Sequence, residues 1–574
     1  MLTDQTFGLL RRGLFDDVLA LGRTLDREFT PAQKVFVAAL KATLLCADAA
    51  GSALPAKGLD TREWLLGRLR PVLTDANLEG VVQSRLKGSA PRPFQERVRS
   101  ARGNTVLVTA GCGSGKTAAA YLWAADRAKG RRLFFCYPTT ATASAGFSGY
   151  LRDPDFDATL IHSRSVVDYR LLEGMPAQTD EARLLQTLQL ESFDTWPTPA
   201  VVCTAHTVLG LLQNVRTGIY AWPSLVRAAF VFDEVHAYPD RLFSHLLRFL
   251  AVFRTAPVLL MTATLPPHRR KALEAVAIQR GGLVEVTGPV AREEAPRYEL
   301  HRSDEEDAWQ EVAEVLDKGG KVLWVCNQVA RAVAVARRAL DLGFPVAPFH
   351  SRYRYRDRVA RQNRLVSGFE PATPALLGVT TQVAEMSLDL SADLLVTEYA
   401  PPADLIQRMG RLNRRADCPA DIGRALFLRP ENALPYAKKD AEDVFWSQVE
   451  GWLDTAADGT AKSQRELADA FLSCAASADA DQSLFCDWLD DPWRSQRNRQ
   501  ALVEPGYTIE VVREEDLGAG RPGEIAVPVP VHWCREWARW EFQGHYLKAP
   551  AGAFRYDEFW GAEHGREELD AWVI

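Results

Sequence analysis

Apolar and polar positions change rhythm along this chain, and the changes mark out its elements. In the first 88 residues Phe7, Leu10, Leu14, Val18, Leu21 and Leu25 recur at intervals of three and four. Val37, Leu40, Leu44 and Leu45 continue the pattern, so the opening segment reads as helical. Beyond a turn-forming GSAPRP the rhythm becomes short, unbroken apolar runs at 105–108, 133–137, 200–203, 228–232 and 258–261. Runs of that length without alternation fit strands buried on both faces of a parallel sheet. A second series begins near residue 295, with runs at 321–326, 346–349, 375–379 and 393–396. The expected architecture is α/β: a helical N-terminal unit over 1–88, α/β domains over 89–292 and 293–430, and a C-terminal accessory domain over 431–574. In that last segment Trp533, Trp537 and Trp540 sit at helical spacing and read as core.

Composition narrows the class. With 574 residues and an apolar fraction of 47%, the chain has enough material for several packed cores. Acids outnumber bases by 74 to 68, which argues against histone-like or purely electrostatic binding; any nucleic acid must meet a local arginine-lined groove. Acids in the first apolar stretch, and no run of eighteen apolar residues, point to the cytoplasm and to no membrane. Nine scattered cysteines without a CxxC read as reduced core residues rather than zinc ligands.

The candidate chemistry sits where the buried runs end. After 105–108 the chain reads AGCGSGKT, residues 110–117, which fits AxxGxGKT at every position. Gly111, Gly113, Ser114 and Gly115 form the turn whose N–H groups cradle phosphates, Lys116 supplies a cation, and Thr117 a hydroxyl for Mg²⁺. Upstream, Gln95 offers the paired donor and acceptor that an adenine edge requires. After 228–232 come Asp233 and Glu234, two adjacent acids that are costly at a buried strand end without a cation and a water to use them. Asp233 is therefore assigned to Mg²⁺ and Glu234 to the attacking water. His236 is expected to connect this site to the rest of the molecule by hydrogen bonds, or else to pack as a satisfied core histidine. In QRMGRLNR, 407–414, the residues Gln407, Gly410, Arg411 and Arg414 share one face of an expected helix start, a guanidinium pair suited to a γ-phosphate. Thr139, Thr204, Asn327, Ser351, Arg352, Thr380 and Thr381, at the ends of strands, are candidate contacts to a nucleic-acid strand, although helix capping explains each threonine alone as well. RYRYRDRVARQNR packs six arginines into 352–364, fitting a solvated helix face and a nucleic-acid contact equally.

Together AGCGSGKT, DEVH, TAT, QVAEMSLDL and QRMGRLNR resemble the ordered motifs of superfamily 2 helicases. YPTTATASAGF, LIHSRS, DEVHAY, FHSRYRYRDR and TQVAEMSLDLSADLLVTEYAPPADLIQRMGRLNRR resemble, more narrowly, the signature helicase-nuclease of type I CRISPR-Cas interference. That resemblance implies two tandem RecA-like domains with ATP and Mg²⁺ as cofactors and Asp389 at the nucleotide. It also implies 3′ to 5′ translocation on single-stranded DNA after recruitment to a guide-RNA surveillance complex holding an R-loop. The family usually carries an N-terminal HD nuclease, which needs clustered histidine and aspartate ligands. The first histidine here is His162, so the nuclease is expected on a separate subunit, and the helical unit is expected to be a degenerate remnant or a docking platform. His532, His545 and His564 of the tail are expected to pack among aromatics. Two other readings stand beside this one: a DExH helicase outside CRISPR defence, and an ATP-gated nucleic-acid clamp without turnover.

Overall fold

The short apolar runs become strands of two separate sheets, since a strand covered on both faces has no polar side to show. The computed structural model describes residues 29–56, 60–70, 72–73, 75–86, 89–111, 113–139, 143, 158–161, 196, 198–214, 216–385, 388–414, 422–474, 487–490, 508–520, 522–534, 540–543 and 546–564. The first sheet holds β1 (Thr105–Thr109), β2 (Arg132–Tyr137), β3 (Ala158–Ile161), β4 (Ala200–Thr204), β5 (Ala228–Phe232), β6 (Val258–Thr262) and β7 (Val284–Thr287). Their order is β3-β4-β2-β5-β6-β1-β7, and every pair is parallel. The second sheet holds β8 (Pro296–Ser303), β9 (Lys321–Val325), β10 (Val346–Phe349), β11 (Leu376–Thr380), β12 (Leu394–Glu398), β13 (Gly423–Leu428) and β14 (Lys462–Ser463), ordered β10-β11-β9-β12-β13-β8-β14. Only β14 runs antiparallel to its neighbour. In both sheets the loops at the carboxyl ends of the strands carry the candidate motifs, the edge at which ligands bind in such folds.

Aromatic packing on one face of the first sheet is dense: Phe230 of β5 meets Phe134 at 5.8 Å, Phe249 at 4.9 Å and Phe253 at 6.0 Å between ring centres. Burying one such side chain contributes about 1.5–3 kcal/mol. Arg280 closes the base of this unit, donating to Thr105 Oγ1 and to the carbonyls of Asn104 and Ala256 at 2.6 Å each.

The N-terminal segment does not stand apart. Helix α1 (Pro31–Ala56) buries Ala38, Ala42, Cys46, Ala49 and Ala50 against the first unit, small side chains that permit close approach. Of the leucines that continue the apolar pattern, Leu40 and Leu44 turn outward and are exposed, together with Phe36. The segment Pro31–Ser52 is the one helix among the described residues long and apolar enough to cross a membrane by length and composition. The earlier pattern from Phe7 to Leu25 lies outside the described residues. Helix α2 (Asp75–Leu86) adds Leu78, Val81 and Val82 to the core beneath β1.

Beyond the boundary expected at 430, the chain first adds to the second unit. Helices α8 (Glu442–Ala456) and α9 (Gln464–Cys474), with β14 between them, pack Phe445, Val449, Trp452 and Leu453 into the second unit's core beside Tyr298 and Phe427. The remainder forms a four-stranded sheet, β16-β15-β18-β17, from β15 (Thr508–Arg513), β16 (Val527–Pro530), β17 (Glu541–Gln543) and β18 (Tyr546–Ala549). A hairpin of β19 (Arg555–Asp557) and β20 (Gly561–Glu563) follows. Pro528 and Pro530 lie on β16, an edge strand, where a missing N–H is tolerated. Trp533 and Trp540 pack against this sheet's core; Trp537 and His545 lie outside the described residues. His532 and His564 both meet the Trp533 ring, at 6.5 and 5.3 Å.

Candidate active site

Strand β1 delivers the chain into a loop whose backbone only glycine adopts readily: Gly113 and Gly115 have φ of 77° and 89°. A Cβ on Gly115 would lie 2.7 Å from Gln95 Nε2, which shows how closely that side chain approaches the loop. Helix α4 (Lys116–Arg127) starts directly after it and turns its N-terminus toward the loop. The Lys116 ammonium donates to Ala110 O at 2.8 Å and stands 3.7 Å from Glu234 Oε1. Ser114 Oγ is turned onto Gly111 O at 2.8 Å, while Thr117 sits half-buried in the helix's first turn.

Gln95 lies in helix α3 (Pro93–Ser100), where its Oε1 accepts from Arg92 N at 2.8 Å and its Nε2 donates to Gly115 O at 3.4 Å. The amide expected to read a base therefore braces the phosphate loop in this structure.

Strand β5 delivers the acidic pair. Asp233 N donates to Cys136 O at 2.9 Å, prolonging the sheet by one residue, and Glu234 then turns into the left-handed region with φ of 48°. A non-glycine residue held there stores strain of the kind found at functional sites. Burial, and then the neighbouring Glu234, push the Asp233 carboxyl up to about 8. Burial also opposes ionisation of Glu234, but Lys116 foremost and Arg411 outweigh it and hold that carboxyl below its ordinary range. Glu234 Oε2 is buried without a hydrogen-bond partner among the described residues. A divalent cation fits this donor set: it would relieve the raised Asp233 and complete the coordination of two crowded acids, with the Thr117 hydroxyl in the first turn of α4 as a further oxygen donor.

His236 joins the two units. Its Nδ1 lies 3.0 Å from Thr262 Oγ1 at the tip of β6, and its Nε2 meets the Gln407 side-chain amide of helix α7 (Pro402–Met409). Thr262 Oγ1 in turn donates to Thr264 O. That direction assigns the proton to Nδ1, leaving Nε2 to accept from Gln407. Burial lowers the His236 pKa to about 4, consistent with a neutral ring.

QRMGRLNR is the end of a helix, not its start. Helix α7 stops at Met409 with Gly410 as its cap, and Arg411 and Arg414 lie on the turn beyond, fixed by Asn413 N donating to Ala392 O at 2.8 Å. Pro401 and Pro402 can open a helix but not continue one, which sets the position of this short element. Arg411 donates to Ala384 O and Glu385 O, each at 2.9 Å. Arg414 Nε lies 3.2 Å from Asp389 Oδ1, and a Cβ on Gly113 would be 3.5 Å from Arg414 Cγ, so this arginine reaches the phosphate loop of the other unit. Asp389, largely exposed, positions Arg414. Arg408 was not singled out by sequence reasoning, yet it is fully buried and donates to Glu385 Oε1 at 3.0 and 2.8 Å, Thr397 Oγ1, Asn327 Oδ1 and Tyr436 Oη.

The strand-end candidates for contact with nucleic acid differ in burial. Thr204, Asn327, Thr380 and Thr381 are buried. Asn327 is consumed internally, bonding Glu398, Tyr399 and Arg408. A hydroxyl or amide at the end of a fully covered strand is first required by its own interior. Thr139 and Ser351 stay half-buried at the carboxyl edge. Arg352 lies over the Trp533 ring at 4.8 Å, against the tail. Glu293 and Arg292, which sequence reasoning passed over, both reach the phosphate loop; they sit in an unpatterned connector and carried no periodic signal.

Comparison with known proteins agrees with this geometry. Residues 92–273 match the DEAD/DEAH box helicase family, and residues 318–417 match the C-terminal part of CRISPR-associated nuclease/helicase Cas3. The chain is 42% identical over 541 residues to a putative CRISPR-associated nuclease/helicase Cas3 of Myxococcus xanthus, covering 92% of this chain and 70% of that protein. It is 26% identical over 398 residues to the CRISPR-associated endonuclease/helicase Cas3 of Escherichia coli, covering 58% of this chain and 44% of the relative. The Cas3 structure of T. fusca with AMPPNP superposes with a TM-score of 0.60 at 19% identity, covering 86% of this chain and 72% of that one. The fold is thus two RecA-like domains of the helicase type. The chain belongs to the CRISPR-associated nuclease/helicase Cas3 family.

Proposed function

We propose that this protein is an ATP-driven motor that moves 3′ to 5′ along single-stranded DNA in the cytoplasm during type I CRISPR interference. A guide-RNA surveillance complex at an R-loop recruits it, and phosphodiester cleavage is supplied by a nuclease subunit outside these 574 residues. The observation that carries the reading is the placement of His236, whose Nδ1 stands 3.5 Å from Glu234 Oε2 and whose Nε2 meets the Gln407 amide, between the hydrolytic acids of one unit and the helix that leads into the arginine turn of the other. Solved structures of T. fusca Cas3 hold ATP or AMPPNP, and a further structure similar to this chain is a CRISPR RNA-guided surveillance complex before nicking. Thr117 and Asp233 would hold Mg²⁺, which would supply neutralisation of the phosphate charge. Lys116 leaves Ala110 O to hold the phosphates, Glu234 orients and deprotonates the attacking water, and Arg411 and Arg414 stabilise charge on the transferring group. Thr139 and Ser351 at the carboxyl edge are offered to the DNA phosphates.

The test is ATP hydrolysis with and without single-stranded DNA. Turnover rises with DNA; Lys116→Ala abolishes it, and Glu234→Gln keeps nucleotide binding while losing at least about a hundredfold in rate, as for a lost general base. Equal hydrolysis by wild type and Glu234→Gln refutes the assignment.

A further inference from the structure

The connector between the two sheets runs from Thr287, the last residue of β7, to Pro296, the first of β8, and includes the single turn α5 (Val290–Glu293). A tether of that length need only span the gap. Here it is bound along its course to the machinery of the first unit. Gly288 N donates to Thr109 O at 2.8 Å, continuing the β1 pairing, and Arg97 Nη2 donates to Thr287 O at 2.8 Å. The Glu293 carboxylate then accepts from Gly111 N at 2.8 Å, inside the phosphate loop. The approach is close enough that a Cβ on Gly288 would come 1.9 Å from Glu293 Oε1 and 2.9 Å from Ala110 Cβ.

The neighbouring side chain points the other way. Arg292 Nη2 donates to Arg414 O at 2.8 Å and would lie 3.2 Å from a Cβ on Gly113. From the second unit, Gln464 presses on the same loop, its Cγ 2.8 Å from where a Gly111 Cβ would stand, and its Oε1 accepts from Tyr298 Oη at 3.1 Å. One turn of the connector thus holds the loop's first N–H with one residue and the arginine turn of the other unit with the next. A charged acceptor on a backbone N–H makes the stronger kind of hydrogen bond, so Glu293 fixes the loop more firmly than a neutral contact would.

We infer that Glu293 is a positioning residue, coupling the phosphate loop through Arg292 to the turn that carries Arg414, so that nucleotide occupancy and movement of the second unit are sensed together. The inference rests on the ATPase reading above and deepens it. Movement of either unit must stretch or break the Glu293 and Arg292 contacts. The connector therefore transmits the motion rather than merely permitting it.

The experiment uses the full chain with AMPPNP and Mg²⁺, and follows hydrogen exchange in peptides covering 104–115 and 288–296. Nucleotide is expected to change protection in both peptides of the wild type, and in Glu293→Ala to change only the first. In ATPase assays Glu293→Ala should lower the ratio of DNA-stimulated to basal kcat at least fivefold with KM for ATP within twofold. Glu293→Gln keeps an acceptor oxygen and should recover more than half of that ratio, a split that a merely destabilised protein would not show. Nucleotide-induced change confined to 104–115 in the wild type, or an unaltered stimulation ratio in Glu293→Ala, overturns the inference and leaves the ATPase reading intact. Failure of the wild type to bind AMPPNP overturns both.

Discussion

Two arginine-rich stretches, 352–364 and 407–414, have similar composition but different employment. The first, helix α6 (Tyr355–Gly368) and the loop before it, is used as a mount for the tail. Arg354 forms a two-pronged ion pair with Asp516 at 3.0 and 2.8 Å and lies over the Tyr556 ring at 4.0 Å. Arg361 donates to Glu558 O at 2.9 Å, Tyr556 Oη donates to Asp357 at 2.6 Å, and Ala562 N donates to Arg352 O at 2.8 Å. The second stretch faces the cleft: Arg408 is locked in the interior, Arg411 is held by carbonyls, and Arg414 ends beside the phosphate loop with an exposed partner. Guanidinium suits both tasks because its planar fork pairs with carboxylates and its face stacks on aromatic rings. What separates the tasks is which carboxylates and rings arrive, and those of the first stretch come from some 160 to 200 residues further along the chain.

The comparison can be broken at four points. Arg408→Ala leaves Glu385 buried without its counter-charge and should cost about 3–5 kcal/mol in a denaturant titration. Arg414→Ala should slow ATP turnover on the order of 10³-fold while the melting temperature stays put, because Asp389 is open to water. A comparable loss of stability in both variants would erase the distinction drawn within the second stretch. Arg354→Ala strands a buried Asp516 and should weaken tail docking by about 2 kcal/mol, read as faster proteolysis of the segment after 508 and as coupling in a cycle with Asp516→Ala. Arg352→Ala removes a cation–ring contact worth about 0.5–1 kcal/mol and should leave affinity for single-stranded DNA unchanged. A marked loss of DNA affinity there would return the first stretch to nucleic-acid contact.

Much of the site was legible because its residues are tied to local backbone events. AGCGSGKT can form its loop only with glycines at 113 and 115, and Lys116 must open the following helix. Asp233 and Glu234 were marked by the cost of two acids at the end of a buried strand, a cost visible in the raised Asp233. The helix assigned to 407–414 was misplaced by a whole turn, because three- and four-residue spacing cannot distinguish the last turn of a helix from its first; Gly410 and the preceding prolines decide it. The strand-end residues show a different limit of local reading. Asn327 has the position of a ligand contact and the burial of a structural amide, and nothing nearby in sequence announces Arg408 and Tyr399 as its partners.

The parallel strands of the two sheets, the phosphate loop and the acidic pair were legible in the chain itself, since each follows from apolar run length, from φ angles open to glycine, or from the cost of burying charge within a few residues. The tertiary structure alone decided how the arginines divide, why the leucines of α1 face outward, and that Glu293 reaches the phosphate loop. Each of these depends on a partner far away in the chain: Asp516 for Arg354, the core of the first unit for the alanines of α1, and Gly111 for Glu293. A side chain's charge and size are local properties, but its burial and its counter-charge are supplied by whatever the fold places opposite it, and local periodicity carries no information about that.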